Sequence, residues 1–266
     1  MRQSDQPSGG YDGFRVERGA GGRVATVTLD RPEKLNRVSM AARGQLAQVF
    51  AELGSDGDVR VVVLAGSAGR AFTAGGDVAG FLERDPEELS RLAHNVAAPE
   101  RCPKPVIAKL HGFTLGVGLE LALACDLRVA ADDTELGFPE INLGMIPGSG
   151  GTQRLARLVG LGRAKEVILR GRRIPAREAL EWGLVNQVVT ADELDSTVDS
   201  LAQELAGKAS LALGLAKRVL NHAYDGPLPL GLELEGLAYG LLRTTHDFRE
   251  GVEAFVEKRK PAFEGR

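Results

Sequence analysis

Cysteine is scarce in this chain: Cys102 and Cys125 are the only two among 266 residues. They fall in different elements and lack metal-ligand spacing, and Cys125 reads as a small buried apolar side chain. Histidine is nearly as rare. His94, His111, His222 and His246 form no HxxxH or HExxH pattern, so no zinc site is expected. No apolar run approaches the roughly 20 residues that a membrane-spanning helix needs. Neither sign of charge dominates, since 33 basic and 36 acidic residues leave a net charge of −3. A nucleic-acid partner would call for a broad basic field, and none exists. The first ten residues carry an acid and have no hydrophobic h-region, so they read as a disordered tail rather than a signal or transit peptide. These absences point to a cytoplasmic protein.

What is present is an ordinary globular balance, with 43% hydrophobic and 26% charged residues. A chain of this size buries roughly three quarters of its unfolded surface, enough for a full core. Short β-branched runs predict strands at 24–29, 59–64, 105–110 and 127–130. The 59–64 run is mostly apolar and reads as buried on both faces. Ser39 predicts the cap of a helix running to about residue 53, and Asp85-Pro86-Glu87 predicts a second helix start. Residues 66–69 read as a turn. Strands alternating with helices imply α/β units. A dinucleotide fingerprint is absent, because the turn containing Gly116 and Gly118 has Leu121 where that motif needs a third glycine. Thr190-Ala-Asp-Glu193 is a capping box, and helical periodicity continues from it through about 207, then over 211–222, 230–245 and 249–259. The expected organisation is a tail at 1–12, a core at 13–200 and a C-terminal helical region at 201–266.

Two glutamates stand out. Glu120 lies in an apolar stretch, where its helical neighbours at i−4, i+3 and i+4 would be Gly116, Leu123 and Ala124, none able to pair with it. Glu140 lies in Phe138-Pro-Glu-Ile-Asn-Leu-Gly144. A carboxylate in apolar surroundings should have a raised pKa, as acid/base chemistry near neutral pH requires. Two glycine turns accompany them. Gly75 and Gly76 allow a ligand to approach the backbone closely, and the helix start near Val117 offers further free N–H groups. Two such donors aimed at one oxygen make an oxyanion hole. Gly148-Ser-Gly-Gly-Thr-Gln-Arg154 reads as a tight helix entry rather than a phosphate cradle, since it lacks a P-loop lysine.

From about residue 14 to 263 the chain resembles the enoyl-CoA hydratase/isomerase, or crotonase, family. The resemblance is carried by Asp30-Arg-Pro-Glu-Lys-Leu-Asn36, Ala71-Phe-Thr-Ala-Gly-Gly-Asp77 and Gly116-Val-Gly-Leu-Glu-Leu-Ala-Leu-Ala-Cys-Asp126. It continues in Phe138-Pro-Glu-Ile-Asn-Leu-Gly144, Ile146-Pro-Gly-Ser-Gly-Gly-Thr-Gln-Arg154 and Ala254-Phe-Val-Glu-Lys-Arg-Lys260. It implies an α/β fold: a crotonase-like spiral of ββα units with a C-terminal helical trimerisation region, often a dimer of trimers. It implies hydration of the 2,3 double bond of a 2-enoyl-CoA to a 3-hydroxyacyl-CoA. Glu120 and Glu140 match the family's two carboxylates, and the N–H groups of Gly76 and Val117 match its oxyanion hole. Ala74, Gly76, Asp77 and Val78 match the CoA adenine pocket, and Phe255 and Lys258 match positions that complete the CoA site from a neighbouring helix. Coenzyme A is then part of the substrate, and no separate cofactor or metal is implied. Val117 departs from the family's common glycine, and Arg37 from a small residue. Alternatives are an isomerase, a dehydratase or a thioester hydrolase of the same family, or a non-catalytic CoA- or RNA-binding module. Both carboxylates and the negative net charge favour the hydratase.

Overall fold

The computed structural model describes residues 10–90 and 92–266. Most of the expected N-terminal tail, residues 1–9, lies outside the described residues. Tyr11 and Asp12, assigned to that tail, are held: Tyr11 stacks on Phe14 at 4.5 Å. The Asp12 carboxylate accepts from Arg31 and Ser39, and its N–H donates to Gln45 Oε1 at 2.8 Å.

The chain begins with β1 (Phe14–Arg18) and β2 (Val24–Leu29), then α1 (Met40–Ser55), whose N-cap Ser39 accepts from the Ala42 N–H. A repeating unit comes next. β3 (Val61–Gly66) is succeeded by β4 (Ala71–Thr73) and three short helices, α2 (Pro86–Ser90), α3 (Leu92–Val96) and α4 (Ala98–Arg101). Then come β5 (Val106–Leu110), β6 (Phe113–Leu115) and α5 (Val117–Ala124). β7 (Leu127–Ala131) and β8 (Glu135–Gly137) lead to α6 (Gly151–Val159) and α7 (Leu161–Arg170). Each strand pair leaves one strand in a large sheet and the next in a small one, which produces the spiral.

The small sheet gains β9 (Arg173–Pro175) and runs β4-β6-β8-β9, with β4, β6 and β8 parallel. The large sheet gains β10 (Gln187–Val189) and runs β1-β2-β3-β5-β7-β10, parallel except for β1. Gly112 makes the sharp bend between β5 and β6. Its φ is +51°, and a Cβ there would stand 2.1 Å from the Arg70 carbonyl, so only glycine fits.

The last helices are α8 (Ala176–Glu181), α9 (Leu194–Ala206), α10 (Ser210–Asn221), α11 (Leu228–Leu242) and α12 (His246–Glu257). The capping box at Thr190 and Glu193 is formed. Both faces of the large sheet are covered, as the apolar run at 59–64 requires. One face packs Val61, Val63, Ile107 and Val129 against Val198 and Ala202 of α9. The other packs Val62, Leu64 and Ala108 in one core with Leu46, Val49 and Phe50 of α1 and Leu121 of α5.

Some expectations shift. The second strand starts at Val61 and takes in Gly66, which belonged to the expected turn. The expected division at residue 200 falls inside α9, which is packed on the sheet. The periodicity of the C-terminal helices suggests that they bury one another. Instead α11 buries no residue, and Leu230, Leu237, Tyr239 and Leu241 on it are exposed. β1 and the short strands of the small sheet leave no legible pattern in the sequence.

Candidate active site

The small sheet arranges the site. Its three parallel strands end side by side, and each runs into a glycine turn or a catalytic candidate. After β4 come Ala74, Gly75 and Gly76; after β6 come Gly116, Val117 and, one turn along, Glu120; after β8 come Phe138, Pro139 and Glu140. Ligands of parallel sheets bind at the carboxyl ends of the strands, where the loops converge. A cavity of about 350 Å³ opens there. It is lined by Ala74, Gly76, Val78, Val117, Glu120 and Glu140 among the expected residues. Asp77 is in the same loop but does not line it. Phe255 and Lys258 are elsewhere on α12 and its end: Phe255 is 85% exposed and borders a separate apolar groove with Phe248 and Phe263. This chain alone does not bring that pair to the cavity.

Gly116 caps α5 with φ +55° and ψ −125°, a conformation natural only to glycine. Val117 is the first helical residue and is not among the residues at positive φ, so its branched side chain is unstrained there. Among the described residues neither the Gly76 N–H nor the Val117 N–H donates to another protein group. Both residues line the cavity.

Glu120 is 2% exposed. It has no local ion-pair partner, as its helical neighbours dictate, but it is not without support. Its Oε1 accepts the Ser149 N–H at 2.6 Å and the Gly151 N–H at 3.1 Å. The turn that reads only as a tight helix entry therefore holds a carboxylate, with the positive end of α6 facing it. Ser149 and Gly151 are site residues that the sequence did not reveal in that role. Burial raises the Glu120 pKa, and the two N–H bonds and Arg43 oppose the rise. Glu140 sits on a short 3-10 turn, Pro139–Leu143, closed by Gly144 in the left-handed region. A Cβ on Gly116 would come within 2.9 Å of Glu140 Oε1, so this carboxylate lies against the bare Gly116 backbone. Its Oε2 is buried without a partner. Burial, with the nearby Glu120 charge, pushes the Glu140 pKa up to about 7.

Arg43 also lines the cavity and was not singled out in the sequence. The signal was there: it lies on the same face of α1 as Leu46 and Phe50, both buried, where a charge is out of place. The site can accept a proton at one carboxylate, give one from the other and polarise an oxygen with two N–H groups. Among the described residues no cluster of His, Cys, Asp and Glu is arranged to hold a metal.

The sequence model of the enoyl-CoA hydratase/isomerase family matches residues 19–266. The short-chain-enoyl-CoA hydratase of Clostridium acetobutylicum is 39% identical over 90% of this chain and 93% of its own length. The crotonyl-CoA hydratase of Syntrophomonas wolfei is 37% identical over 91% of this chain and 94% of its own. The crystal structure of an enoyl-CoA hydratase from Bacillus anthracis superposes with a TM-score of 0.89 at 38% identity, covering 96% of this chain and all of that one. With the family model matched over most of its length and relatives of this identity covered almost end to end, the chain belongs to the enoyl-CoA hydratase/isomerase family and has the crotonase fold.

Proposed function

We propose that this protein is an enoyl-CoA hydratase, adding water across the 2,3 double bond of a 2-enoyl-CoA to give a 3-hydroxyacyl-CoA. The observation that carries the reading is the pair Glu120 and Glu140 lining one cavity with the unused N–H groups of Gly76 and Val117. The two N–H groups form an oxyanion hole for the thioester oxygen, which polarises the conjugated system and stabilises the enolate-like transition state. Glu120, ionised and held by Ser149 and Gly151, takes a proton from water as the water oxygen bonds to the β-carbon. Glu140 in its protonated form gives a proton to the α-carbon. One water is consumed, and the enzyme regains its starting state once the proton passes from Glu120 back to Glu140. No cofactor enters this balance.

The CoA portion lies over the loop of Ala74, Gly76, Asp77 and Val78. Phe255 and Lys258 serve it only from another copy of the chain, so the reading includes a homo-oligomer, a trimer or a dimer of trimers. The exposed apolar residues of α11 support that assembly. The two free, buried thiols of Cys102 and Cys125 fit a reducing, cytoplasmic setting. Mixing the protein with crotonyl-CoA tests the activity. Loss of the conjugated-enoyl ultraviolet absorbance is expected, and an absorbance that stays constant would overturn the reading in favour of a non-catalytic module.

A further inference from the structure

Among the described residues that line the cavity, one cation has no part in the hydration scheme. Arg43 is 4% exposed, yet it lines the cavity. Its guanidinium lies over the Phe81 ring at 5.5 Å and against Gly76, where a Cβ would meet Nη2 at 2.6 Å. Its buried Nε has no hydrogen-bond partner. Glu120 and Glu140 act on it through space, as nearby charges. Apart from Glu120, Glu140 and Ser149, the side chains that share the cavity with it are apolar, Val78, Phe81, Leu89, Leu92 and Leu143 among them. A buried guanidinium in apolar walls is costly unless an anion meets it, and its planar fork matches a carboxylate through two parallel N–H bonds.

We propose that Arg43 receives a carboxylate carried by the acyl chain, and that this enzyme acts on 2-enoyl-CoA thioesters of short dicarboxylic acids. The inference rests on the enoyl-CoA reading above and names its substrate class. Position argues for the acyl chain over the CoA phosphates. Arg43 is buried and shares the cavity with Glu120 and Glu140, whose targets in the hydration scheme are acyl carbons. An apolar acyl chain alone would leave the Arg43 Nε without a hydrogen-bond acceptor. A terminal carboxylate satisfies it and leaves the two glutamates to their protons.

The test compares acyl groups of equal length, with and without the carboxylate: glutaconyl-CoA against 2-pentenoyl-CoA, and 2-hexenedioyl-CoA against 2-hexenoyl-CoA. The wild-type ratio of kcat/KM is expected to favour one carboxylate substrate by roughly ten- to a hundredfold, the range of a hydrogen bond to a charged group. Arg43→Met should collapse that ratio, and Arg43→Lys should restore part of it. A wild-type ratio near one in both pairs overturns the proposal. So does a variant in which both substrates fall together with the ratio intact, since an arginine serving the thioester oxygen, the CoA phosphates or the glutamates would act on both alike. Should Arg43→Met not fold, calorimetric binding of the saturated thioesters to the wild-type protein decides instead. Glutaryl-CoA should bind at least tenfold more tightly than pentanoyl-CoA, and equal affinities overturn the inference. Saturated thioesters cannot be hydrated, so this arm stands even if no hydratase activity is found.

Discussion

At the scale of single residues, the two carboxylates differ in how they are held. Glu120 has two backbone N–H donors, and Glu140 has an orphaned Oε2. Replacing either with Gln keeps the shape and removes the ionisable group, and each acid/base group contributes roughly 10² to 10⁴ in rate. Both variants are expected to fold and to lose at least two decades of crotonyl-CoA hydration; near-full activity in Glu120→Gln would remove its role as base. The Glu140 pKa of about 7 sets the pH dependence. As a proton donor it must be protonated, so kcat/KM should fall as pH rises through about 7, and a profile flat to pH 9 would count against the assignment. The stability effect has the same direction. The folded pKa lies above the unfolded value, so the native state binds the extra proton. Burying this group costs little below about pH 4.5, costs progressively more up to about 7 and costs its full amount above. Glu140→Gln should therefore raise Tm more at pH 8 than at pH 5 in parallel melts.

At the scale of elements, the site is built by the turns at the carboxyl ends of three short strands. Gly116 and Val117 show how far sequence can be read. The glycine-rich start of α5 and the negative φ of Val117 were legible, because a β-branched residue is strained at positive φ. The support of Glu120 by the turn at Ser149 was not, because the two lie 29 residues apart and the bond uses backbone atoms that every residue carries. The three-residue strands of the small sheet were equally illegible, being too short to show an alternation. Phe255 and Lys258 came from resemblance alone, and nothing in this chain places them at the cavity. Two substitutions separate donor from side chain. Val117→Gly keeps the N–H and widens the pocket, so crotonyl-CoA hydration should change by less than about tenfold. Gly76→Pro deletes an N–H and should cost roughly 10² or more. Stopped-flow rates that order these two the other way would contradict the oxyanion-hole assignment.

For the whole molecule, the division of labour lies between a packed spiral and a helical end with bare apolar faces. Lys217 on α10 ties the two together: its Nζ pairs with Asp126 at 2.7 Å and donates to the carbonyls of Pro99 and Lys104. Beyond it, Leu228, Leu237 and Tyr239 on α11 and Val256 on α12 stay exposed. Apolar faces of that extent mark contact surfaces. In the proposed assembly another copy of the chain covers them. Light scattering on the full chain should report a trimer or hexamer, and a well-behaved monomer would refute the assembly. A chain cut near residue 200 loses the Lys217 pair and half of α9, and it should aggregate.

The neighbouring ends of β4, β6 and β8 also govern how this protein tolerates changes of length. The pitch of the ladder, roughly 4.8 Å per strand, sets the offsets among Gly76, Val117 and Glu140, whatever number of residues is strung between them. The stretch around Leu82, 92% exposed, can lengthen or shorten without moving those offsets. A two-residue insertion after Leu82 should redistribute activity among acyl chain lengths and leave crotonyl-CoA hydration within about tenfold; a folded but inactive product would argue otherwise. Insertions and deletions, usually the more disruptive kind of inherited change, become here a means of retuning the substrate while the chemistry stays in register.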